Sequence, residues 1–180
     1  MKKELSNFKF LGYKIDLLRY NLDYSRDFLV LSQTNSSDYK IKIGIRNPIH
    51  IKDKDEYLCG VNIIINYASD SIKQELHNEN NSNISSGKFT IETGICGLFN
   101  VDTEQEKDNK KIAKIMTCQA PAILYPYLRA SVASFLLGLG MQPLILPLVN
   151  FVVLAENSKD DLIMKEYSSY KELSASGNKI

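Results

Sequence analysis

Between residues 115 and 155 the chain carries one charged side chain, Arg129. The sequence on either side is dense in Lys, Asp and Glu. An uncharged stretch of this length has to be covered by a bilayer, by the protein's own core, by a second subunit or by a ligand. Its punctuation narrows the choice. Gly138, Gly140, Gln142, Pro143, Pro147 and Asn150 all fall inside it. Prolines and amides at mid-depth would leave polar groups unpaired in lipid. No Lys/Arg cluster flanks the stretch closely enough to set a topology. Membrane insertion is therefore not expected.

The first half of the stretch reads as a helix. Pro126 suits a first turn, where its missing N–H would go unpaired anyway. Leu128, Val132, Phe135, Leu136 and Leu139 follow as an apolar stripe at helical spacing. Gly138 and Gly140 end it. The opposite side, Ala130, Ala133, Ser134 and Leu137, is small and uncharged rather than solvated, so a cover on both sides is expected. In the second half, Pro143 and Pro147 force an extended path. Leu144, Ile145, Leu146, Leu148, Val149 and Phe151 then hang from a loop, where polar side chains are the norm. Arg129 reads as a structural charge, pairing across an interface or reaching out to water, ahead of a role in holding a client carboxylate or carbonyl.

Upstream, four stretches alternate like half-buried strands. They are residues 8–20, 39–46, 56–69 and 87–101. In the second, Tyr39, Ile41, Ile43 and Ile45 face one way and Lys40, Lys42 and Arg46 the other. Gly94 and Gly97 interrupt the fourth, which predicts a bulge or a close backbone approach. The polar run 77–87 predicts a hairpin between the third and fourth strands. Residues 23–38 read as a linker, and 102–111 as a loop or the start of an exposed helix. Near the C-terminus, Leu162, Ile163, Tyr167 and Tyr170 suggest a helix starting at Ser158, with Asp161 as an acidic capping partner. Residues 1–6 and 174–180 are expected to be disordered, and the whole chain to form one domain.

Several kinds of chemistry are missing. Lys plus Arg is 22 and Asp plus Glu is 21, a balance that offers no drive toward nucleic acid. Cys59, Cys96 and Cys118 are odd in number and lack metal-ligand spacing, which fits a reducing cytoplasm and neither a disulfide framework nor a zinc site. The opening MKKELSNFKF lacks the apolar run of a secretory leader. Neither His50 nor His77 has a Cys, Asp or Glu at ligand spacing. There is no phosphate-binding loop and no nucleophile elbow. The expectation is a protein that is not an enzyme and needs no metal or cofactor.

The run APAILYPYLRASVASFLLGLGMQPLILPLVNF resembles the SecB family of export chaperones. The matching positions are Pro121, Leu124, Tyr125, Pro126, Tyr127 and Arg129, then Pro143, Leu144, Leu146, Pro147, Val149, Asn150 and Phe151. Glu92, Gly97 and Phe99 match an upstream strand of that family. The resemblance implies an α+β fold: a four-stranded antiparallel sheet with two helices on one side, assembling as a homotetramer, a dimer of dimers. It implies a cytoplasmic holdase that needs no ATP and holds unfolded preproteins in an apolar groove for export. The groove would be lined by Phe89, Tyr125, Pro143, Leu144, Leu146, Pro147, Val149 and Phe151. Leu128, Arg129, Val132, Phe135, Leu136 and Leu139 would pack between subunits. Asp16 and Glu92 would remain of the family's acidic surface for the SecA motor, with Arg19 where a second carboxylate is expected. That departure keeps two alternatives open: a SecB-like chaperone dedicated to an antitoxin or another single client, and an oligomeric scaffold on the same fold. Polar substitution at Leu146 and Phe151 is expected to weaken client binding and spare the assembly.

Overall fold

The structure, a computed structural model, describes residues 8–22, 39–68, 88–101, 109–141, 143–158 and 162–177. The expected linker 23–38 and hairpin turn 77–87 lie outside them, as do residues 1–6 and 178–180. All four alternating stretches are strands: β1 (Phe8–Leu22), β2 (Tyr39–Ile45), β4 (Glu56–Ala68) and β5 (Lys88–Val101). Two short strands join them, β3 (Ile49–Ile51) and β6 (Lys165–Tyr167). The edge strand β1 pairs with β5, β5 with β4, and the far side of β4 with β2 and then β3. These pairings are antiparallel, whereas β6 runs parallel to β3.

The sheet therefore has six strands rather than the expected four, and the extra pair has a physical origin. Ile45 faces Val61 and Ile49 faces Leu58, so residues 46–48 oppose only residues 59 and 60. Pro48 has no N–H for a ladder bond, and the Arg46 amide donates to the Gly60 carbonyl at 2.9 Å. One extra residue in a period-two strand reverses which side chains face which way. Ile41, Ile43 and Ile45 point to one face; Ile49 and Ile51 point to the other.

On the first face, Tyr57, Cys59, Val61, Ile63 and Ile65 of β4 and Phe89, Ile91, Ile95 and Phe99 of β5 form the main core. A helical run closes it: α1 (Asn109–Lys114), a π-helical turn (Ile115–Gln119) and α2 (Ala120–Gly138). Leu124, Leu128, Val132 and Leu136, four residues apart, are buried against the sheet. Gly97 is required there, since a Cβ would lie 2.5 Å from Leu124. The helix starts well before Pro126, which sits inside it rather than in a first turn. Pro126 and Ala122, the residue whose carbonyl loses its donor, are both exposed, so water can take the lost bond. The end of α2 is the expected glycine stop. Gly140 has φ 75°, its amide donates to Leu137, and the Met141 amide donates to Leu136. By length and composition the run Lys110–Gly138 could cross a bilayer; here one side of it is the lid of the sheet.

The C-terminal part departs most from expectation. Residues 143–150 are irregular, then α3 (Phe151–Asn157) begins where an extended path was expected. No helix spans 162–170. Instead β6 pairs with β3, and α4 (Tyr170–Ala175) seats Leu173 among Ile49, Ile51, Leu58 and Cys96. That cluster lies on the second face of the sheet, so helices cover both faces and not one. The segment expected to be disordered from residue 174 contributes the last turn of α4.

Candidate functional site

The apolar loop is built around Tyr125. Its hydroxyl donates to the Pro147 carbonyl at 2.6 Å, and its ring meets Phe151 edge-on at 5.4 Å. Burial raises its phenol pKa, with the nearby Arg129 guanidinium opposing, so the hydroxyl stays a donor through neutral pH. Asn150 then starts α3, its side-chain oxygen accepting from the Val152 and Val153 amides at 3.1 and 3.3 Å. The second half of the loop is thus fixed, at Pro147 and at Asn150. Tyr125→Phe is expected to cost about 1–3 kcal/mol of stability, because it leaves the Pro147 carbonyl short of a donor. Urea denaturation measures this; an unchanged midpoint would mean the bond anchors nothing.

Along the segment the side chains alternate. Leu144 and Leu146 turn inward, Leu146 to 1% exposure, and Phe151 follows them to 5%. Ile145 and Leu148 turn outward, to 82% and 87% exposure. Pro143 and Pro147 are exposed, and Val152 and Val153 continue the outward side onto α3. Large aliphatic groups so fully in water, on either side of the tethered Pro147, form a surface that gains by being covered.

The residues expected from the sequence sort into two sets. Phe89, Tyr125, Leu144, Leu146 and Phe151 belong to the core, where Phe89 packs on Tyr39 and Tyr67. Pro143, Pro147 and the half-buried Val149 are on or near its outer side. Sequence reasoning missed Ile145, Leu148, Val152 and Val153 as the outward set; Asn150 ahead of an apolar run was the available signal for α3. Of the six expected interface residues, Leu128, Val132 and Leu136 are buried within the subunit. Arg129, Phe135 and Leu139 are half-buried. The uncovered side of α2 is Ala122, Pro126, Tyr127, Ala130, Ser134 and Leu137, without a charge. Beside it, β1 exposes Tyr13, Ile15, Leu18 and Tyr20. Tyr13 meets Tyr127 at a tilt with ring centroids 4.5 Å apart, and Tyr20 meets Phe135 at 5.5 Å.

The two carboxylates expected on a docking surface are both engaged by arginine. The Asp16 side chain is 5% exposed and accepts two bonds from Arg46, one at 2.7 Å. Arg46 also donates from Nε to Asn62 at 2.5 Å and lies in the space left by Gly60 and Gly94. Nothing in the local sequence marked Arg46, because its partners come from other strands. Glu92 pairs with Arg19 at 3.3 Å on the open surface.

Other chemistry-bearing groups are held quietly. His50 stacks on Tyr57 at 4.3 Å and bonds Asp55 at 3.1 Å. Burial raises the thiol pKa of Cys59, and that of Cys96 to about 11, keeping both protonated. Among the described residues, no three His, Cys, Asp or Glu side chains are grouped to hold a metal.

Comparison with known proteins bears on this arrangement. The family described as preprotein translocase subunit SecB matches residues 70–161, a little over half of the chain. The protein-export protein SecB of Anaplasma phagocytophilum (strain HZ) is 28% identical over 68 residues, which are 38% of this chain and 43% of that protein. That of Anaplasma marginale (strain Florida) is 32% identical over 63 residues, 35% of each chain. The matched part thus spans less than half the length of these curated relatives. Among solved structures, a Mycobacterium tuberculosis SecB-like chaperone in complex with a ChAD peptide from an antitoxin superposes with a TM-score of 0.53. It is 11% identical, and the match covers 79% of this chain and 90% of that one, which speaks to the fold.

Proposed function

The chain belongs to the SecB family, and from that premise we propose that it is a chaperone that holds non-native polypeptides on the outward side of the 143–153 segment. The observation that carries this reading is the pair Ile145 and Leu148, almost fully in water on an anchored loop. A polypeptide with exposed apolar side chains would cover them, and each such contact contributes about 1.5–3 kcal/mol when fully buried. Holding of this kind is mass action on the unfolded state and needs no nucleotide.

An oligomer belongs to the same proposal. The uncharged outer side of α2 and the exposed aromatics and aliphatics of β1 supply surface for a second subunit, and a homotetramer would cover both. A cytoplasmic place of action, with preproteins for export as clients, follows from the family. A second reading is favoured by the arginine pairing of Asp16 and Glu92. It weakens the case for docking the SecA motor and suits a chaperone kept for one client, as the neighbour solved with an antitoxin peptide illustrates. The test is suppression of aggregation of a chemically unfolded protein without ATP. Suppression at near-stoichiometric ratio is expected. A folded chain that fails at excess would end the holdase reading.

A further inference from the structure

We propose that the open half of the sheet's second face is a docking surface for an acidic polypeptide segment. The side chains there follow from the register. Lys42, Ile64, Glu92 and Arg19 form one row across β2, β4, β5 and β1, and Lys40, Asn66, Thr90 and Asn21 form the next. Lys14 stands opposite Cys96 on β1. The strap made by β6 and α4 covers the other half of this face, around Leu58 and Cys96, and stops short of these rows.

The charge in and beside the open rows is one-sided. The described side chains there are Lys14, Arg19, Lys40, Lys42 and Arg46 against Asp16 and Glu92. Those five cations and two carboxylates give +3, while the whole chain carries only +1. The ion pairs Arg46–Asp16 and Arg19–Glu92 engage both carboxylates. Lys14, Lys40 and Lys42 are left exposed and without an ion-pair partner among the described residues.

The spacing suits a polypeptide. Strands lie about 4.8 Å apart, so Lys14 on β1 and Lys40 and Lys42 on β2 stand on opposite edges of a strip roughly 14 Å wide, Lys14 at its Cys96 end and the other two at the Glu92 and Thr90 rows. Asn62, Asn66 and Thr90 line that strip and can bond a backbone laid over them. A nucleic acid is the poorer fit, because the exposed aromatics that could stack on bases, Tyr13, Tyr20 and Tyr127, are on the opposite face. This surface is separate from Ile145 and Leu148, so its failure would leave the holdase reading intact.

The probe is a fluorescein-labelled Glu-Ser repeat peptide, read by anisotropy against the full chain, with a Lys-Ser repeat as control. The acidic peptide alone is expected to bind, weakening at least about fivefold from low to physiological salt. Lys40→Glu with Lys42→Glu should weaken it by at least about tenfold, and Lys14→Glu on the far edge should do so independently. Lys110→Glu, on α1, should leave it unchanged. Equal binding by the sheet variants and the parent would overturn the proposal. So would no binding at low salt, or tighter binding of single-stranded RNA of equal charge.

Discussion

Replacing Ile145 and Leu148 together with aspartate is expected to remove most holdase activity while the protein stays folded. Both side chains are already in water, so the folded state loses little, within about 0.5 kcal/mol per site. A bound client loses two apolar contacts and gains two charges to desolvate. At about 1.4 kcal/mol per tenfold, the potency in aggregation assays should fall by well over tenfold. Leu146→Asp and Phe151→Asp are expected to behave in the opposite way. Their side chains are 1% and 5% exposed inside the core, so a buried unpaired carboxylate should unfold the subunit. Denaturation midpoints separate the two outcomes. Loss of folding in the Ile145/Leu148 variant would place those residues in the core after all.

The second large effect concerns Arg46. Arg46→Met strands the Asp16 carboxylate, 5% exposed, without its partner. Breaking a buried pair in this way costs about 3–5 kcal/mol, a large share of the roughly 5–15 kcal/mol that holds a domain folded. Arg46→Met with Asp16→Leu should recover most of that loss, since two apolar groups leave no stranded charge. Arg19→Met is the control. Its pair with Glu92 is exposed, at 70% and 33%, and should cost about 0–1 kcal/mol. Gly94→Ala should act like Arg46→Met, because its Cβ would lie 1.9 Å from an Arg46 nitrogen. Urea denaturation of the set decides it. Equal costs for Arg46→Met and Arg19→Met would refute the account of this pair.

Much of this architecture was legible from the chain itself, and the failures have specific causes. Period-two patterns over Tyr39–Ile45, Glu56–Ala68 and Lys88–Val101 gave strands because each has one buried face. The stripe from Leu128 to Leu136 marked the face that α2 buries, though it serves the subunit's own sheet before any partner. Strand β3 was hidden because the bulge at residues 46–48 reverses its phase. Strand β6 and α4 merge into one helical rhythm in the sequence because three or six residues are too few for periodicity to separate them. Within the loop, apolar content was plain but direction was not. Leu144 and Leu146 differ from Ile145 and Leu148 only in which way an irregular backbone turns them, and no repeating pattern encodes that.

The central claim is that a non-native polypeptide lies on the outward side of residues 143–153. A photo-crosslinking side chain placed at Leu148, and separately at the exposed Lys171 on α4, tests it directly in the presence of an unfolded protein. Efficient crosslinks are expected from position 148 and few from position 171. Equal yields from both positions, or yield from 171 alone, would contradict it.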